Sequence, residues 1–143
     1  MIPSEIRPDL ALKQILDKQI VLQKSATESV EIKAYAQGER PNTDLDDEFV
    51  EILINGVIRS QTKPMGLFRG SLAVMVYVKA YEDGSVFQIR VDSILRQLEQ
   101  KVSDITIDGF FFSFNLSNII TPTTVNVSTG YSTTILNIDW HTV

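Results

Sequence analysis

From Ser71 to Tyr81 apolar residues fall at every second position, with Leu72, Val74, Val76, Val78 and Ala80 on one face and Met75, Tyr77, Lys79 and Tyr81 on the other. A period of two marks a β-strand, because successive side chains leave a strand on opposite sides. A strand with one apolar face belongs in a sheet and needs a second layer to bury that face against. Any fold for this chain is therefore built round a sheet with a cover.

The sequence supplies the cover. Val91, Ile94, Leu95, Leu98 and Val102 repeat at i, i+3, i+4, i+7 and i+11, with Asp92, Arg96, Glu99 and Gln100 pointing away, which predicts a helix from Ser85 to Val102. Asp83 and Gly84 turn the chain before it, and Ser85 with Gln88 reads as a capping box. A second amphipathic helix is predicted from Asp9 to about Ile20, with Leu12, Ile15, Leu16 and Ile20 on one face and Pro8 and Asp9 suited to its first turn. Further strands are predicted at Val30 to Tyr35, Phe49 to Arg59, Phe110 to Leu116, around Thr124 to Val127, and Tyr131 to Trp140. Gly56 marks a bulge or a close backbone approach, and Pro122 is expected in a connection. The order α-β-β-β-α-β-β predicts one α+β domain over residues 1–143, a largely antiparallel sheet with two helices packed on one face.

Composition narrows the chemistry. With 43% hydrophobic and 22% charged residues in 143, the chain has enough apolar content for one core, and a disordered or fibrous fold is excluded. It has no cysteine, which excludes thiol nucleophiles, disulfides, thiolate zinc sites and iron–sulfur clusters. His141 is the one histidine, and it is expected to face solvent at a strand end. No nucleophile elbow or phosphate-binding glycine loop occurs, so no catalytic residue, cofactor or metal ligand is expected and the chain reads as a non-enzyme. Charges at Glu5, Arg7, Asp9, Lys13 and Asp17 interrupt the first segment, so no secretory signal is expected, and no apolar run approaches the roughly 18 residues of a membrane span.

The net charge of −5 is unevenly laid out. Six carboxylates lie between Glu39 and Glu51, including Asp44, Asp46, Asp47 and Glu48; this run lacks the glycine and distal glutamate of an EF-hand and reads as an acidic loop. The stretch from Arg59 to Gly70 carries Arg59, Lys63 and Arg69 without an acid, together with Met65, Leu67 and Phe68. Arg59, Lys63, Met65, Phe68 and Arg69 are the candidate interface, since adaptable Met, aromatic and Arg side chains favour protein contacts. Asp44, Asp46, Asp47 and Glu48 are the complementary acidic patch, and a basic loop meeting the next copy's acidic loop makes a head-to-tail contact that closes into a ring. Phe110, Phe111, Phe112 and Phe114 read as core, or as core on one face and interface on the other.

The strand from Gly70 to Val78, the helix from Ser85 to Val102 leading into the run Asp108 to Phe112, and the ending from Thr129 to Ile138 resemble the tail terminator (tail completion) proteins of long-tailed bacteriophages. The likeness covers most of the chain. It implies a structural virion protein, made in the host cytoplasm, that assembles as a hexameric ring on the head-proximal end of the tail tube. There it would stop tube polymerisation, meet the tail tube protein and the head connector, and let DNA pass without specific binding. On this reading Arg59, Lys63 and Arg69 lie at an interface, and the acids at 44 to 48 face a neighbouring subunit or the channel. The alternatives are a head-closure or minor capsid protein of the neck, a small non-viral binding module, and an enzyme that uses carboxylates alone.

Overall fold

The computed structural model describes residues 6–41, 48–59, 68–107, 109–126 and 129–142, with backbone alone at 57–59 and 117–122. The chain runs α1 (Pro8–Leu16), β1 (Ile20–Gln23), β2 (Ser29–Ala36), β3 (Phe49–Arg59), β4 (Phe68–Lys79), α2 (Gln88–Lys101), β5 (Ile105–Ile107), β6 (Phe110–Asn126) and β7 (Tyr131–Thr142). The fold is α+β: two helices and one curled seven-stranded sheet, in the order β1-β2-β3-β4-β7-β6-β5. The sheet is mixed, because β2 runs parallel to β3 while the other neighbours are antiparallel.

The alternating strand β4 lies in the middle of the sheet. β4 pairs with β3 and β7, and Leu72, Val74, Val76 and Val78 are all buried on the face that the helices cover. Leu12 and Leu16 of α1 and Val91, Ile94 and Leu98 of α2 close over it, joined by Ile20, Leu22, Ile32, Val50, Ile52, Phe112, Leu136, Ile138 and Trp140. α1 packs on β2 and β3 and also reaches β5, so the curl brings the two outer parts of the sheet to one helix.

Four local expectations are corrected. The first helix ends at Leu16, not near Ile20: Lys18 takes φ 61° and its N–H bonds the Ile32 carbonyl at 3.0 Å, which reverses the chain. Ile20 then enters the core as a strand residue with Leu22, opposite Ile32 and Val30. A residue eight after Leu12 fits a helix face, and two before Leu22 it fits a strand face equally well. The capping box does not form, because the Ser85 N–H and hydroxyl both donate to Asp83 Oδ1, at 2.9 and 2.6 Å, and the N-cap of α2 falls two residues later, at Phe87. The acceptor in the preceding turn is a carboxylate, a stronger partner than an amide side chain.

The region from Phe110 to Asn126 is one strand, and Pro122 lies inside it rather than in a connection. Proline is tolerated there because it sits in a register shift between Thr121 and Thr124, on a strand whose other side β5 covers only at Phe110 to Phe112. The short β5 was not foreseen. Gly130, at φ 76°, closes the β6–β7 turn by donating its N–H to the Asn126 carbonyl at 2.9 Å.

At the other edge, a side chain takes the place of a strand. Gln97 of α2 accepts the Val21 N–H at 2.9 Å and donates to the Val21 carbonyl at 2.8 Å, so the outward main-chain groups of β1 are satisfied at that point. Replacing Gln97 with Ala is expected to cost about 1 kcal/mol, the usual net worth of such bonds. Amide hydrogen exchange checks it: Val21 loses protection relative to Leu22, whereas equal protection in both proteins removes Gln97 from this role.

Candidate functional site

Two places on the sheet gather charge, one at each end of β4. The first is at its beginning. Gly56, Arg69, Gly70, Ser71, Asp139, Trp140 and His141 line a shallow cleft of about 580 Å³. Register explains the grouping: Arg69 stands opposite His141, Gly70 opposite Trp140, and Ser71 opposite both Gly56 and Asp139. Arg69, Asp139 and His141 point outward and are exposed, while Trp140 points into the core.

The cleft exists because of a close backbone approach. The register of β3 slips between Ile54 and Gly56, and the Gly56 carbonyl folds over Gly70, where any Cβ would run into it. The same Cβ would stand 3.0 Å from Trp140 Nε1. That indole N–H is buried without a hydrogen-bond partner.

The second place is at the far end. Glu48 is 2% exposed, and its Oε2 accepts the Lys79 N–H at 3.1 Å and meets Arg90 at 3.4 Å. Its Oε1 lies 3.0 Å from Lys24 Nζ in an ion pair. The β1–β2 turn, β3, β4 and α2 thus meet on one carboxylate.

Above it, on the outer face, Phe49 stacks on Tyr77 with ring centres 4.5 Å apart, and Tyr35 and Tyr131 meet Phe49 edge-on. Arg40 lies over Phe49 and Tyr77 at 5.8 and 5.5 Å and pairs with Glu51 at 3.5 Å. Burial pushes the Tyr77 hydroxyl pKa up, and the Glu51 carboxylate adds to the shift. Arg40 and Glu48 therefore fix the two ends of the acidic connection between β2 and β3.

The candidate interface residues separate. Arg69 is exposed and lines the cleft. Phe68 is not a surface residue: it is 4% exposed in the core, and its N–H donates to Thr142 Oγ1 at 2.9 Å. As the first residue of β4 it follows the inward alternation of Leu72 and Val74 with Gly70 between. Arg59 is placed by its backbone alone, opposite Phe68. Lys63, Met65, Asp44, Asp46 and Asp47 lie outside the described residues. Glu48 leaves the acidic patch, since Lys24 and Arg90 hold it inside the body.

Sequence reasoning missed Trp140, Asp139 and Gly70 as partners in one cleft. The available signal was the alternation Asp139, Trp140, His141 at the end of an apolar strand, which puts the two polar residues on the face opposite the indole. Among the described residues no group of three or more metal-ligating side chains comes together. No family model and no curated protein matches the chain.

Proposed function

We propose that this chain is the subunit of a ring that caps the head-proximal end of a bacteriophage tail tube, ends its polymerisation and forms the surface met by the head connector. The observation that carries the reading is the placement of charge along one sheet. The cleft with Arg69 stands at the start of β4, and Glu48, which ends the acidic run in the sequence, is tied to Lys79 at the strand's end, ten residues along. At about 3.3 Å per residue the two are about 33 Å apart. Different, complementary surfaces at opposite ends of a subunit make a heterologous contact, which closes into a ring when the rotation allows. The sequence resemblance supplies the setting.

The remaining acidity suits a channel. A net charge of −5 per copy, repeated round a ring, repels the phosphate backbone and lets DNA slide past without holding it. Light scattering with negative-stain imaging tests the assembly: rings near six copies are expected at low ionic strength and high protein concentration, loosening as salt screens the contact. A protein that stays monomeric in every buffer and also fails to bind tail tubes overturns the reading.

A further inference from the structure

Beyond the end of β4, residues 81–85 form a turn in which every residue is exposed. The Tyr81 N–H donates to the Ser85 carbonyl at 2.9 Å, the Gly84 N–H donates to the Tyr81 carbonyl at 2.8 Å, and Gly84 takes φ 85°, so the turn is closed by its own bonds. The Tyr81 ring stacks on Phe87 with centres 4.3 Å apart and planes 16° from parallel. Phe87 in turn packs on the core, with the Arg90 guanidinium 4.2 Å over its ring. Tyr81 is still 48% exposed. An aromatic ring fixed on one side and open on the other suits a protein contact, because little side-chain entropy is left to lose when a partner covers it. Glu82 beside it is exposed and has no hydrogen bond or ion pair among the described residues. Ile89, in the first turn of α2, is 78% exposed.

An open tyrosine face beside an unpaired carboxylate fits a guanidinium, which stacks on the ring and bonds the carboxylate at once. Among the described arginine side chains, Arg7, Arg40 and Arg90 are already paired, with Asp9, Glu51 and Glu48. Arg96 is exposed on α2, with Asp92 one turn before it and Glu99 one turn after. Arg69 is exposed on the rim of the cleft, a concave surface of the kind a projecting turn fills, where Asp139 is the one acid in the lining. Within one copy the two cannot meet, because Arg69 and Lys79 are about 33 Å apart along β4 and Tyr81 lies beyond Lys79. We infer that the Tyr81–Ser85 turn of one copy seats in the Arg69 cleft of the next, with Arg69 stacked on Tyr81 and paired with Glu82. This rests on the ring reading and names its contact. Each copy offers one turn and one cleft at opposite ends of the same strand, so the contact passes head to tail from copy to copy.

Sedimentation velocity of the full chain at low ionic strength tests it by charge reversal. Arg69→Glu and Glu82→Arg are each expected to weaken self-association about tenfold, since each sets like charges against one another. An equimolar mixture of the two variants should associate again, because every contact between unlike copies then joins opposite charges. Only folded variants can complement each other in this way, so a folding defect does not imitate the result. Arg96→Glu should leave association unchanged. Single reversals without effect, a mixture no stronger than its separate components, or a wild-type chain that never self-associates overturns the contact. Rings that survive both reversals sink this contact and spare the ring reading. Rescue in the mixture without rings near six copies or tube binding supports the contact and overturns the ring reading.

Discussion

Gly70→Ala is expected to destabilise the protein by about 3 kcal/mol, the upper part of the usual range for overpacking, with a fall in Tm of about 10 °C. The added Cβ meets the Gly56 carbonyl oxygen, which is backbone and has no rotamer to escape into, and it also crowds the Trp140 indole. Gly56→Ala is the control, since a Cβ there meets nothing within 4 Å, and a methyl in an extended strand residue is neutral or slightly stabilising. Thermal unfolding of both proteins decides it. If Gly70→Ala melts with the wild type, the two glycine backbones do not approach each other and the cleft loses its floor.

Glu48→Leu carries the second large effect, about 3–5 kcal/mol, because it removes a carboxylate shared by two cations that are themselves largely buried. The Lys24 and Arg90 side chains are each 17% exposed, so water cannot fully replace the lost carboxylate. Glu48→Gln keeps an acceptor for the Lys79 N–H and is expected to lose less. Replacing the whole set, with Lys24→Met and Arg90→Met beside Glu48→Leu, should recover much of the loss, since a well-packed apolar core can equal a buried ion cluster. Denaturant unfolding of the single and triple variants checks this. A triple variant no more stable than Glu48→Leu would show that the carboxylate works through the Lys79 backbone, not through the cations.

Elements with a long, unbroken period were legible. β4 carries its alternation over most of its length, and α2 repeats its apolar face for four turns, so nothing else competes for those residues. β1 was not legible because four residues give only two inward positions, and Ile20 satisfied the preceding helix face too. The parallel pairing of β2 with β3 depends on how the connection between them returns, which no residue in it announces.

The candidate site divided along the same line. Arg69 was visible as one of three cations in an acid-free stretch. Glu48 looked like its acidic neighbours, and only the arrival of Lys24 and Arg90 from distant segments takes it out of the surface patch. The Gly70–Trp140 pairing joins residues 70 positions apart, and no local pattern encodes it.

Electron microscopy of tail tubes growing from their own tube protein, with and without this chain, tests the ring cap most directly. A ring of density is expected at one end of each tube, with an end that no longer elongates, and Arg69→Glu should abolish both. Tubes that keep growing with bare ends in the presence of a folded, saturating protein would contradict it.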